Sequence, residues 1–221
     1  MTTTAVSPGS IGILGAGRVG AAVARRAVES GYEVRIATAK PAGEIALLAE
    51  IVTPGAIAVD AAELAETDLT VIAIPLRRYR DLDPARFAGR TVVDVMNYWA
   101  PTDGEQPDFE RDARSTSEAI QDHLHGALLV KSLNHIGYHD LEADHRSPGA
   151  ADRRALAVAS DHEQSRDLVA AFIDRIGFDA VDAGPLAAGR VFQPGTEIFN
   201  GSHSAVQLRG LLADACAGAR V

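Results

Sequence analysis

Gly15, Gly17 and Gly20, with Ala16, Arg18 and Val19 between them, form a G-x-G-x-x-G string near the start of the chain. Set between a strand and a helix, such a string can cradle a pyrophosphate. The first glycine permits the tight turn, the second lets the backbone approach the phosphates, and the third lets helix and strand pack closely. The helix's first amides and the positive end of its dipole then face the anion. A string this short also occurs in ordinary glycine-rich turns, so its neighbours decide. Ile11-Gly12-Ile13-Leu14 before it reads as a strand, and Ala21 to Ser30 after it as a helix.

The end of the second strand should discriminate between dinucleotides. A carboxylate there, about 20 residues beyond the glycines, accepts hydrogen bonds from the ribose hydroxyls of NAD. This chain has Ala37-Thr38-Ala39-Lys40 instead. Thr38 can donate to a 2′-phosphate, Lys40 can neutralise it, and no carboxylate in that tetrapeptide repels it, which predicts NADP(H). The alternative is a solvated lysine before a helix.

Ligands of an open parallel sheet gather outside the carboxyl ends of its strands. That rule brings Ile74-Pro75-Leu76, Met96-Asn97-Tyr98-Trp99 and Asn134-His135-Ile136 to one crevice. Asn97 or Asn134 could orient a carboxamide or a ring carbonyl. Tyr98 and Trp99 are either an aromatic wall for an acceptor ring or a packed loop corner. Arg77, Arg78 and Arg80 either recognise an acceptor's phosphate or tail, or form a solvated face. His135 is the candidate for acid–base work if the substrate is a carbonyl compound. His135, His139 and His145 with the acids among them lack a defined ligand spacing, so no metal is expected.

The elements that must position these residues alternate. After the first strand and helix come strands at 32–37, 56–59, 69–74, 91–95 and 127–133, with helices from Pro41, at 61–66 and at 117–124. Residues 137–152 are polar and carry Pro148-Gly149, so they read as a long functional loop. A strand at 155–159, a helix at 163–176 and a strand at 178–181 either extend the sheet or form a small second lobe. The expected fold class is α/β: a Rossmann-type, doubly wound, mainly parallel sheet with a small C-terminal extension. Residues 1–9 read as a flexible tail, and 10–221 as a single domain whose part 137–221 forms the acceptor-side extension.

The 221 residues are 47% hydrophobic and 23% charged with a net charge of -9, an ordinary globular balance. Such a charge offers no general basic field to nucleic acid or to an anionic membrane, so neither is an expected partner. The single cysteine, Cys216, excludes an intramolecular disulfide framework and suits a cytoplasmic setting. No apolar run approaches the roughly 20 residues needed to cross a bilayer, and Met1 to Gly9 lacks the pattern of a secretion signal.

Four segments together resemble the coenzyme F420-dependent NADP oxidoreductase family. They are residues 11–20, Ala73-Ile74-Pro75, Val130-Lys131-Ser132-Leu133-Asn134 and Asp182-Ala183-Gly184-Pro185-Leu186, in order across roughly residues 10–192. The six-transmembrane metalloreductases carry a similar Lys-x-x-Asn segment. The resemblance implies that Ala16, Gly17, Arg18 and Val19 hold the pyrophosphate and that Thr38 and Lys40 face the 2′-phosphate. Ile74 and Pro75 would lie beside the nicotinamide, with Asn134 near the reactive ring. Coenzyme F420 or a related deazaflavin or flavin would be the acceptor. Some deazaflavin-reducing members have His where Asn134 aligns and Thr where His135 aligns, which leaves the acceptor less defined than the dinucleotide. Two other functions stay open: reduction of a small carbonyl or imine, with His135 or Lys131 handling the proton, and non-catalytic NADP(H) sensing. A homodimer is left open as well.

Overall fold

The computed structural model describes residues 7–106, 109 and 114–218; the Cys216 side chain lies outside the described residues. Eight strands form one sheet: β1 (Ser10–Leu14), β2 (Glu33–Ala37), β3 (Ile57–Ala58), β4 (Leu69–Ile72), β5 (Thr91–Asp94), β6 (Leu128–Lys131), β7 (Ala155–Ala159) and β8 (Asp179–Gly184). Their spatial order is β3-β2-β1-β4-β5-β6-β7-β8. The chain runs outward from β1 to β3 and then returns to β4 on the other side of β1. That reversal opens a crevice at the carboxyl ends of β1 and β4, where such sheets take their ligands.

The period-two pattern of the strands explains two covered faces. Ile11, Ile13, Val71, Val93 and Val130 point into one apolar layer with Val23 and Ala27 of α1 (Arg18–Glu29) and Phe172 of α6 (Glu163–Arg175). Leu14, Ile72, Val92 and Leu129 point into the opposite layer with Ile120 of α4 (Thr116–His123) and buried residues of three 3-10 turns. A third cluster lies between β7, β8 and α8 (Ala205–Gly218), so the last two strands extend the sheet and do not form a separate lobe.

Several expectations are corrected here. The first helix begins at Arg18, three residues before the expected Ala21, so Gly20 is helical. The segment 61–66 is a 3-10 helix, and β3 has only two residues. Residues 7–9 are not a loose tail: Pro8 is buried and the Gly9 N–H donates to Asp68 Oδ2 at 2.7 Å. The predicted strand 127–133 stops at Lys131 because Leu133 adopts a left-handed backbone, φ 60°, a conformation that costs a non-glycine residue energy.

The expected loop 137–152 contains α5 (Tyr138–Ala143), with Gly137 as its N-cap and Leu141 buried against the core. Gly137 therefore starts a helix inside the segment expected to be a loop. β7 runs antiparallel to β6, pairing at Lys131 and Ala159. An antiparallel neighbour starts at the edge where β6 ends, so the whole connection 132–154 stays at the carboxyl edge. The C-terminal wall of the crevice comes from this direction reversal.

Candidate functional site

The glycine loop divides two cavities. One, of about 630 Å³, is lined by Gly15, Ala16 and Gly17 together with Thr38, Lys40, Ile45, Leu48, Ile74, Pro75 and Arg78. The other, of about 390 Å³, is lined by Val19, Val95, Asn97, Leu133 through Tyr138, Asp140, Arg154 and Phe199 through Ser202, so that His135 stands at its wall. A cleft running across the start of α1 can thus take the two halves of an extended dinucleotide.

The three glycines serve two purposes. A Cβ on Gly15, whose φ is +118°, would lie 2.4 Å from the Ala73 carbonyl oxygen, and one on Gly20 would lie 1.9 Å from the Gly15 carbonyl oxygen. Both are required by the fold itself. Gly17 is different: a Cβ there would meet nothing within 4 Å, and its φ of -77° and ψ of -176° suit any residue. Its bareness is useful only to something outside the chain. Gly17 is also the N-cap of α1, supplies no side-chain hydrogen bond to it, and is followed by a first turn without an acid. The first amides of that 12-residue helix are left for an external acceptor.

Around the larger cavity, Thr38 Oγ1 accepts from the Lys40 N–H at 3.0 Å, which fixes the hydroxyl and leaves its own proton to donate. Lys40 Nζ lies 3.9 Å from Glu44 Oε2, so a carboxylate does stand beside the lysine. Ile74 and Pro75 face this cavity with Thr38 and Lys40, not the one that holds Asn97 and Asn134. The reason is sheet order: β1 lies between β2 and β4, and Ile74 packs against the Gly15 turn. Arg78 belongs to the same cavity, whereas Arg77 lies 3.9 Å from Asp103 and Arg80 covers the Tyr79 ring.

At the smaller cavity two asparagines are locked together. Asn97 Nδ2 donates to the Asn134 carbonyl at 2.7 Å, and Asn134 Nδ2 donates to Asn97 Oδ1 at 3.0 Å and to the Phe192 carbonyl at 2.9 Å. Both N–H groups of the Asn134 amide are spent inside the protein. Asn97 keeps one N–H and one lone pair. The Phe192 carbonyl, outside every quoted motif, helps to fix this arrangement, and the left-handed Leu133 directly precedes Asn134.

His135 is buried, and its Nε2 accepts from the Ala157 N–H at 2.9 Å. Nδ1 therefore carries the proton and points to Asn134 Oδ1 at 3.3 Å. Burial, then the charges of Arg154, Lys131 and His203, push its pKa down to about 3. A folded pKa of about 3 lies below the ~6.5 of an unfolded imidazole, so the neutral ring's contribution is complete above pH ~6.5 and is lost as pH falls toward 3. His135→Gln keeps an acceptor for Ala157 and is expected to flatten the stability profile over that window. The parent's slope should exceed the variant's by up to about 1.4 kcal/mol per pH unit in urea titrations. Equal slopes would show that His135 titrates normally.

Other nominated groups disperse. Lys131 is buried on Asp94, Tyr98 packs on Phe109, and Trp99 is half exposed; none lines either cavity. His139 rests on the Tyr138 ring and His145 Nδ1 lies 2.8 Å from the Glu142 carbonyl, so the three histidines go to three places. Arg18 lies over Tyr138 at 5.8 Å and bridges the start of α1 to α5. Among the described residues no helix is long and apolar enough to cross a membrane.

Residues 10–98 match the family described as NADP oxidoreductase coenzyme F420-dependent. That span runs from β1 through the Asn97 loop. Metalloreductase STEAP3 of Rattus norvegicus is 24% identical over 182 residues, 81% of this chain; the match spans about a third of that protein, 35%. A hypothetical protein from Sinorhizobium meliloti shares the fold with a TM-score of 0.76 at 24% identity, covering 88% of this chain and 94% of that one. A protein from Arthrobacter sp. FB24, provisionally named an F420-dependent NADP-reductase, does so with a TM-score of 0.67 at 22% identity, covering 83% and 88%.

Proposed function

We propose that this chain binds NADP(H) and transfers hydride between NADPH and coenzyme F420 or a related deazaflavin or flavin. The observation that carries the reading is Gly17: bare of contacts, able to hold any side chain by its backbone angles, and set at the uncapped start of α1. Ala16, Gly17, Arg18, Val19 and Gly20 would hold the pyrophosphate through backbone amides. Thr38 and Lys40 would meet the 2′-phosphate. Asn97, with its spare N–H and lone pair, would hold the nicotinamide carboxamide, while Asn134 holds Asn97. When bound, the reduced nicotinamide supplies the hydride. Val19, Val95, Leu133 and Ile136 exclude water from the ring's surroundings.

Of the two groups nominated for moving a proton to a carbonyl, Lys131 is sealed in the core, while His135 lines the smaller cavity but is nearly buried, spends Nε2 on the Ala157 N–H and is held neutral by burial. This favours an acceptor whose reduction rests on stacked rings at hydride distance over one needing those side chains as acids. NADPH consumption by the purified chain against F420, FMN, FAD and a panel of ketones and imines tests the reading. Turnover with F420 or a flavin supports it; turnover confined to carbonyls or imines overturns it, and NADPH binding without turnover of any acceptor favours a sensor.

Lys40→Ala is expected to weaken NADPH by a few-fold to about tenfold and NADH by little. Charge-assisted contacts contribute roughly 1.5–3 kcal/mol when ordered, and an exposed lysine shared with Glu44 falls below that. Fluorescence titration with both nucleotides checks it.

A further inference from the structure

The larger cavity contains a second cation suited to an anion. Leu76 and Tyr79, three apart in the 3-10 turn Leu76–Asp81, are both buried and pin the turn to the core. Side chains three apart in such a turn lie over one another, so Arg78 and Asp81 share the next face. Both line the cavity that also holds Thr38 and Lys40. Asp81 Oδ2 takes Arg78 Nε at 2.8 Å, and among the described residues neither Nη of Arg78 has a hydrogen-bond partner.

We propose that Arg78 reads the 2′-phosphate of an adenosine nucleotide from the β4 side of the cavity, complementing Lys40 on the β2 side. The proposal rests on the NADP(H) reading above and names the residue that gives it selectivity. Lys40 alone is a poor discriminator, because its ammonium is exposed and lies near Glu44. The cavity's other carboxylates, Asp81 and Asp83, are likewise claimed by Arg78 and Arg86. An incoming phosphate therefore needs a cation able to serve a carboxylate and a phosphate together. A guanidinium has five N–H donors in a planar fork; with Nε on Asp81, Nη1 and Nη2 remain for two phosphate oxygens. An ammonium is a point charge that must divide itself. Arg77 and Arg80, engaged elsewhere, cannot substitute.

Calorimetric titration of the full chain with adenosine 2′,5′-bisphosphate and with AMP isolates this contact from the nicotinamide end. Arg78→Ala should weaken the bisphosphate about tenfold or more while changing AMP by no more than about twofold. Arg78→Lys should restore only part of the loss, since it returns charge without the fork. Arg78 is half exposed, and circular dichroism should report an unchanged fold. A wild type that prefers the bisphosphate, with an Arg78→Ala variant that keeps the preference or weakens both ligands equally, overturns this proposal alone. A wild type that binds the two ligands equally overturns the NADP(H) reading and this proposal with it.

Discussion

Gly17→Val is expected to fold like the parent and to lose NADPH and NADH together, by roughly a hundredfold or more. Its backbone angles are those a β-branched residue favours, and a Cβ at this position meets no atom within 4 Å, so the unliganded fold has no reason to object. The added methyls would occupy the space through which a pyrophosphate reaches the first amides of α1. Losing two charge-assisted hydrogen bonds of about 1.5–3 kcal/mol each corresponds to at least two orders of magnitude in affinity. Gly20→Ala provides the contrast: its methyl would collide with the Gly15 carbonyl, so the variant should lose stability. Thermal unfolding and nucleotide titration of both variants separate the two effects. A folded Gly17→Val protein with parental affinity would refute the cradle, because nothing else distinguishes that glycine.

The glycine loop was legible in the sequence because its constraints are local: a short apolar run, three glycines and an amphipathic stretch lie within 20 residues. Even there the start of α1 was misplaced. Glycine is a poor helix former, and only the approach of the Gly15 carbonyl explains why Gly20 belongs inside the first turn. The direction of β7 had no local signal, since a strand's alternation is the same in both senses. Residues 138–143 looked like loop because their apolar content is small, and Leu141 is the one strong clue that the segment packs inward.

The nominated side chains fared according to how far away their partners lie. Asn97 and Asn134 were both visible as crevice amides, but Asn134 is consumed by the Phe192 carbonyl, 58 residues away, and by Asn97. His135 was the most reactive residue type in its segment, and only the Ala157 amide reveals it as a buried acceptor. Of three neighbouring arginines, the 3-10 phase set by Leu76 and Tyr79 turns Arg78 toward the larger cavity. A sequence suggests which groups are near an edge; the hydrogen-bond count decides which of them has capacity left for a ligand.

Lys131→Met is expected to destabilise the fold by about 3–5 kcal/mol, a large share of a single domain's stability. Both members of the Lys131–Asp94 pair are inaccessible to solvent, with Nζ 3.1 Å from Oδ2. Burial pushes the lysine's pKa down against the attraction of Asp94, so the ion pair depends on further hydrogen bonds to both members. Asp94 also accepts from Ser117 Oγ at 2.6 Å and from the Met96 N–H at 2.9 Å, while Lys131 Nζ donates to the Met96 carbonyl as well, using two of its three N–H groups. Methionine fills a similar volume but leaves a carboxylate in the core without its counter-charge. Adding Asp94→Asn removes that charge, keeps an acceptor for Met96, and should recover at least half of the lost stability in urea unfolding. Nucleotide affinity should not recover in parallel, because the Met96 carbonyl has still lost the ammonium that anchors it, one residue before Asn97. A Lys131→Met protein within about 1 kcal/mol of the parent would show that the pair contributes nothing to the fold. A double variant that regains stability and full nicotinamide nucleotide affinity together would show that the buried pair does not position Asn97.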